Sequence, residues 1–315
     1  MFTIRRMTPA DKPAMLAISS RIWEGTDYLP GVFDQWVADQ EGEFAAVLRD
    51  GALVGCGKLS FLTPLDAWLE GLRKDPRVEE KGMAEAVARH FLGLLARRPS
   101  LASVRFSTYV GNRASITINE RLGFRLRTTL SLKARDGTRE QLPSPSRTPE
   151  ARQRVQTIRD GDAVLSFLGG TGYFAATEGL VVEGWRTFPW SAGLLVDRYV
   201  RRGFCRGIMS GAGLSALSIA TVADLPSGTM IRLVCLDALD DESAGLVMDD
   251  VLRNARAAVE RTGAAKYEIE WMIPRVPRLL KWAAAGGLHS WEREDDFLVY
   301  EMPLPLLSSF AAPAP

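Results

Sequence analysis

Residues 1–132 switch repeatedly between two hydrophobic periods, alternate positions and positions three or four apart. TIRRM (3–7) reads as a short strand. Thr8-Pro9-Ala10-Asp11 then opens a helix over 11–23, where Met15, Leu16, Ile18 and Ile22 recur near helical spacing. A loop held by Gly25 and Pro30 leads to a second helix over 31–39, with Val32, Phe33 and Trp36 inward. FAAVLRDGALVGCGKLSFL (44–62) is two apolar runs around Asp50-Gly51, a strong hairpin signal. A strand over 67–73 follows, then an amphipathic helix over 82–97 and a strand over 104–109. A helix over 112–122 stops at Gly123, and a strand covers 124–132.

Residues 134–152 are polar, rich in Pro, Ser and Arg, and carry no apolar period. They divide the chain into a first domain (1–133), a linker (134–152), a second domain (153–305) and a tail (306–315). In the second domain 179–185, 230–239, 266–273 and 297–304 read as strands, and 243–263 and 277–286 as helices. Strand, long helix, strand, short helix, Gly and strand repeat the order that ends the first domain. This is either a weak internal duplication or an unrelated α+β domain. Trp185, Trp190, Trp271, Trp282 and Trp291 either fill an aromatic core there or line an acceptor cleft.

A length of 315 residues exceeds the roughly 250–300 that one core usually serves, in keeping with two domains. Hydrophobic residues make up 46%, enough for cores without staples, and the formal charge of +1 disfavours a nucleic-acid partner. Cys56, Cys205 and Cys235 lie far apart, which fits a reducing compartment. With only His90 and His289 besides, a Cys/His zinc site or a Ser-His-Asp triad has little material, and no metal is expected. His90 reads as a helix-surface or satisfied core histidine, and Cys56 as strand packing. No apolar run reaches the roughly 20 residues that span a bilayer, and the N-terminus lacks a secretory profile. A cytoplasmic protein without a membrane partner is expected.

Chemistry concentrates in two stretches. Between the strand at 67–73 and the helix from 82, a small-residue turn exposes backbone N–H groups at a helix start, where a phosphate binds readily. Gly82 and Ala84 would admit a diphosphate, with Arg73, Lys74 and Lys81 adding charge; the plainer reading is an ordinary connection with a Gly turn. The second stretch runs from Asn112 at a helix start to Gly123-Phe124 at its end. Together the two resemble the GNAT superfamily of acetyl-coenzyme A-dependent N-acetyltransferases. The implied fold class is α/β (α+β), an N-terminal GNAT fold with a mixed central sheet plus a second GNAT-like domain. Ala17–Pro30, with its Asp27-Tyr28-Leu29-Pro30 segment, and Leu69–Arg73 look like the histidine N-acetyltransferase-like branch, whose members also carry a C-terminal region.

The resemblance implies acetyl-CoA as co-substrate and a small-molecule amine, an amino acid or its derivative, as acceptor. The family's Q/R-x-x-G-x-G/A turn aligns with Glu79-Glu80-Lys81-Gly82-Met83-Ala84, so Glu79 stands where Gln or Arg is usual and weakens diphosphate binding unless it points away. Glu79, Lys81, Gly82, Met83, Ala84 and Asn112 are the implied cofactor residues, with the Leu72, Arg73 and Lys74 backbone pairing the pantetheine arm. Glu70 falls where the family carries its general base; without the resemblance it is equally a strand's solvent-facing Glu. The usual acid, a Tyr, is replaced by Asn119. Either the thiolate leaves with hydrogen-bond help alone, Tyr109 or a water substitutes, or the domain is slow or inactive. Asp27 and Tyr28 lie where an acceptor enters, or are a turn Asp and a half-buried Tyr. Asp240-Asp241-Glu242-Ser243 before the second domain's long helix would repel a diphosphate, so that domain is expected to bind no coenzyme A. Other readings are a non-catalytic acyl-CoA-binding or regulatory protein and an acyltransferase of a biosynthetic or self-resistance pathway. Monomer and homodimer both remain open.

Overall fold

The computed structural model describes residues 2–142, 153–211, 213–225 and 228–311. The chain divides into one unit of Met1–Arg127 with Val299–Pro315 and a second of Thr128–Leu298. This division differs from the boundary expected at 134–152, of which 143–152 lie outside the described residues, as do 312–315 of the expected tail.

In the first unit the chain runs β1 (Phe2–Arg6), α1 (Lys12–Ser19), α2 (Leu29–Ala38), β2 (Glu43–Arg49), β3 (Ala52–Thr63), β4 (Asp66–Lys74), α3 (Met83–Leu95), β5 (Ser103–Tyr109) and α4 (Arg113–Arg121). Its sheet has the order β1-β2-β3-β4-β5 and then β15 (Phe297–Glu301), supplied by the far end of the chain. The Asp50-Gly51 turn joins β2 to β3 with positive φ at both residues (50° and 80°), the geometry for which that dipeptide suits a two-residue hairpin. Phe44, Ala46 and Cys56 on one sheet face meet Met15, Ile18, Leu29, Phe33 and Trp36 of α1 and α2. On the other face, Met83, Val87, Phe91 and Leu95 recur every fourth residue and are buried. Gly57 of β3 lets α3 come close, since a Cβ there would sit 2.6 Å from Val87 Cγ1. The unit is therefore a sheet between two helical layers, α1 and α2 on one side and α3 on the other.

The second unit repeats the plan with β6 (Arg125–Thr138), β7 (Val155–Thr157), α5 (Gly161–Gly170), α6 (Tyr173–Ala176), the hairpin β8 (Leu180–Glu183) and β9 (Arg186–Pro189), and α7 (Ala192–Leu195). It continues through β10 (Cys205–Ser210), β11 (Gly213–Leu225), β12 (Gly228–Ala238), α8 (Asp241–Thr262), β13 (Lys266–Ile273), α9 (Pro277–Ala285) and β14 (His289–Ser290). Its strand order is β6-β13-β12-β11-β10-β7, with β12 and β13 parallel. β6 runs into the expected linker as far as Thr138 because residues 131–138 pair along β13, from Ser131↔Ile273 to Thr138↔Lys266. β10 and β11 carry little sequence signal, being rich in Ser, Ala, Gly and Thr. Trp271 and Trp282 are core residues, whereas Trp185 and Trp291 are exposed and meet edge to face at 6.4 Å. Among the described residues no helix is long and apolar enough to cross a membrane.

Candidate active site

The site begins where two strands part. β4 and β5 run parallel and pair only from Asp66↔Ser103 to Trp68↔Arg105. Beyond that point β4 continues to Lys74 paired with β3, so the Leu69–Lys74 edge faces a wedge rather than a strand. A bulge drives the divergence. Lys58 opposes Glu70 and Cys56 opposes Arg73, so Gly71 and Leu72 share the single position Gly57. Gly71 takes φ +66°, and a Cβ on it would lie 2.5 Å from the buried Trp36 ring. Glycine is thus required there by both backbone and packing.

The start of α3 is the second element. Its N-cap is Gly82 at φ +95°, with no side-chain capping hydrogen bond, and a Cβ at Gly82 would meet nothing within 4 Å. Helix-start amides next to open space form an anion site. Of the residues aligned with the turn, Glu79, Lys81 and Gly82 are exposed and Ala84 is half-buried. Met83 presents only backbone, because its side chain is buried against Gly55. Glu80, the neighbour of Glu79, is held by Arg49 at 2.7 Å.

The third element is the face of β4 turned toward α1 and α2. Glu70 is half-buried there, and Ser60 of β3 donates a hydrogen bond from Oγ to Glu70 Oε1 at 2.7 Å. Lys58, directly opposite Glu70, is buried and bonded to Asp39 and to the Leu59 carbonyl. Burial pulls the Lys58 ammonium below its usual range, and the Asp39 hydrogen bond and charge, then the Glu70 charge, oppose that fall.

Asp27 and Arg73 change meaning in the structure. The expected acceptor-binding carboxylate of Asp27 has a side chain 0% exposed and receives Arg73 Nη2 at 2.9 Å and Nε at 3.2 Å. Ser19 Oγ donates to Asp27 Oδ2 at 2.8 Å. The Arg73 guanidinium in turn lies 4.3 Å from the Trp23 ring centroid and 5.0 Å from that of Tyr28. Asp27 therefore holds the loop between α1 and α2 onto β4 instead of offering a charge to a ligand, and the Arg73 side chain serves the same lock. Tyr28 stays partly open, with its ring edge-on to Trp36 at 6.1 Å. Burial raises its hydroxyl above the usual range, with Arg73 acting against and Glu70 adding to the rise. Lys74 is half-buried at the strand end and Leu72 is 40% exposed beside the wedge.

After β5, α4 starts at Asn112, whose side chain accepts from Ser115 N at 3.3 Å and so caps its own helix. Asn119 turns back along α4, its Nδ2 donating to the Ser115 carbonyl at 2.9 Å. Tyr109 ends β5, half-buried. His90 bonds Glu43 Oε1 through Nε2 at 2.6 Å, as a satisfied histidine does. Trp23, Lys58 and Ser60 belong to this region and were not singled out by sequence. For Ser60 and Lys58 the available signal was strand alternation, which puts both on the face of the residue they oppose.

The second unit has the same parting of strands. β12 and β13 pair from Thr229↔Tyr267 to Leu233↔Trp271, and Val234 is the bulged residue. Its wedge is filled, because the buried Tyr173 donates from its hydroxyl to the Val234 carbonyl at 3.2 Å. Leu233 stands just before the bulge, where the first unit has Glu70. The start of α8 is capped by Asp240, whose carboxylate accepts from Ser243 N at 2.7 Å. A protein carboxylate thus occupies the place an anionic ligand would take. Among the described residues no group of three or more His, Cys, Asp or Glu side chains is arranged to hold a metal.

Residues 2–125 match the family model described as the acetyltransferase (GNAT) domain. The GCN5-related N-acetyltransferase from Sphaerobacter thermophilus is 15% identical and superimposes with a TM-score of 0.62 over 96% of each chain. A tandem GNAT protein from the clavulanic acid biosynthesis pathway, 12% identical, covers 100% of both chains at a TM-score of 0.59. A search of curated proteins finds no match. The first unit has the mixed-sheet GNAT fold and the second is GNAT-like, so the repeated element order is a duplication of architecture.

Proposed function

We propose that the first unit transfers an acetyl group from acetyl-CoA to the amine of a small molecule, with Glu70 as general base. The observation that carries this reading is the conjunction of a wedge along Leu69–Lys74, an uncapped helix start at Gly82, and Glu70 within that strand segment. The residues fit the co-substrate. The amides of Gly82, Met83 and Ala84 would receive its diphosphate, and the β4 edge would pair with its amide-bearing arm as an added strand does. What acetyl-CoA supplies is an activated acyl carbon with a thiolate leaving group. Glu70 takes one proton from the ammonium of the acceptor, and the freed nitrogen bonds to the acyl carbon. The C–S bond breaks with its electron pair leaving on sulfur, and the extra proton left on the acylated nitrogen passes to the departing thiolate, giving the neutral amide and the thiol. The loop locked by Asp27 and Arg73 forms the acceptor wall, with Tyr28 and Trp23 as its aromatic surface. Likeness of 17–30 and 69–73 to the histidine N-acetyltransferase-like branch supports an amino-acid-derived acceptor. The second unit binds no coenzyme A in this reading, since Tyr173 and Asp240 fill the two places it needs.

A second reading, binding or regulation without turnover, is favoured by Asn119, whose amide is engaged within its own helix and supplies no acid. Thiol release from acetyl-CoA with a panel of amino acids, together with calorimetric titration of acetyl-CoA, separates the two. An enzyme releases thiol with at least one acceptor and loses turnover but not cofactor binding in Glu70→Gln. Binding without thiol release supports the second reading, and neither binding nor release overturns both.

A further inference from the structure

We propose that Trp23 selects the acceptor, its outer ring face seating a planar aromatic group on the molecule that carries the amine; this rests on the reading of the loop between α1 and α2 as the acceptor wall. Trp23 is 59% exposed, yet its backbone is held at φ +48°, followed by Glu24 at +56° and Gly25 at +85°. Left-handed backbone is costly for a bulky side chain and persists only where the surroundings impose it. Here the turn itself imposes it. Thr26 donates to the Trp23 carbonyl from its backbone N at 3.0 Å and from Oγ1 at 2.7 Å, and Gly25 N donates to the Ile22 carbonyl at 2.9 Å. A large apolar ring is thereby kept at the surface.

The ring is also fixed from beneath. The Arg73 guanidinium lies 4.3 Å from the Trp23 centroid and 5.0 Å from that of Tyr28, and Asp27 clamps it there. Because Arg73 covers one face of the indole, the exposure of Trp23 belongs to the opposite face and the ring edge. Gly71 and Leu72 share one position at the bulge, so Arg73 and Glu70 stand on the same sheet face, the one toward α1 and α2. The Tyr28 hydroxyl feels the charge of both. The open indole face is thus presented above the part of β4 that carries Glu70. Such a face takes either a flat ring or a cation. With the Arg73 charge already on the inner face, a second cation gains less on the outer one than a neutral ring does.

The test uses the full chain, acetyl-CoA and matched acceptors: phenylalanine against cyclohexylalanine, 2-phenylethylamine against 2-cyclohexylethylamine, and norleucine against lysine. Thiol release gives kcat/KM, and calorimetric titration gives Kd for each acceptor whether or not it turns over. The native chain is expected to favour phenyl over cyclohexyl by about threefold to tenfold, the equivalent of one ring pair beyond its buried area, and norleucine over lysine. Trp23→Leu, which keeps apolar bulk over Arg73, brings the phenyl-to-cyclohexyl ratio to about one with KM for acetyl-CoA unchanged, and Trp23→Phe keeps the preference. A merely structural role for Trp23 would instead lower activity toward every acceptor alike in Trp23→Leu, and that result overturns the proposal. Turnover with no phenyl preference in the native chain, or with lysine preferred, overturns this inference and leaves acetyl transfer standing. A phenyl preference in Kd that Trp23→Leu abolishes, without thiol release from any acceptor, upholds the ring seat and overturns acetyl transfer. Where Trp23→Leu does not fold, the native ratio and Trp23→Phe decide. Aromatic acceptors that neither bind nor react overturn the inference outright.

Discussion

The pair that fastens the loop between α1 and α2 to the sheet is open to a direct energetic test. Asp27→Ala removes a carboxylate whose side chain is 0% exposed and leaves Arg73, 9% exposed, with its charge unmatched. An exposed ion pair would be worth about 1 kcal/mol or less, because water and salt screen it. Here screening is small, and the carboxylate also satisfies Ser19 Oγ. Breaking a buried pair from one side costs about 3–5 kcal/mol, mostly the penalty of stranding the partner charge. Two aromatic rings beside the guanidinium recover some of that, so the lower half of the range is expected. Urea unfolding followed by far-UV circular dichroism measures it as a shift in midpoint at constant slope. The double substitution Asp27→Ala with Arg73→Met, which removes both charges, should recover most of the loss. A single-variant cost under about 1 kcal/mol would refute the reasoning, showing that water reaches Arg73 and that the loop is held by its aromatic contacts instead.

Gly71→Ala is expected to destabilise by about 2–5 kcal/mol, combining a left-handed backbone at φ +66° with a Cβ forced into the Trp36 ring; urea unfolding with a midpoint near native would mean the ring yields freely. Hydrogen bonding from Arg77, with further help from Arg21, holds the Asp75 carboxyl well below its usual range. A lowered folded-state value means this contribution is fully present above about pH 5 and drains away as acid carries the pH through the carboxylate range, where the unfolded chain binds the proton first. Asp75→Asn should therefore flatten the fall of stability with acid below about pH 4, and an unchanged slope in acid-unfolding curves would count against the pairing.

Local pattern alone was enough for much of the first unit. The Asp50-Gly51 hairpin, the fourfold spacing that turns Met83, Val87, Phe91 and Leu95 inward, and the helix ended at Gly123 are statements about neighbouring residues. Helix period and turn chemistry act over a few positions, so they are written in the order of residues. The same holds for the candidate anion site, since a glycine before an amphipathic helix predicts free amides wherever the helix is placed. Asp27 marks where that ends. Its sequence context allowed a ligand-binding carboxylate, and only the approach of Arg73, 46 residues away, neutralises it inside the fold. Ser60 and Glu70, ten residues apart, meet through the register of β3 on β4.

The partition between units was also a tertiary decision. Polar composition at 134–152 suggested a linker, yet β6 runs on to Thr138 because β13 offers it hydrogen-bond partners, and β15 returns from the end of the chain to lie beside β5. Strand pairing joins residues whatever their separation along the chain, and no local period records it. What the sequence by itself determined was most elements of the first unit and the glycine turn that opens α3. That Asp27 is locked to a cation inside the fold was decided by a long-range neighbour, because pairing depends on which segments the tertiary structure brings together.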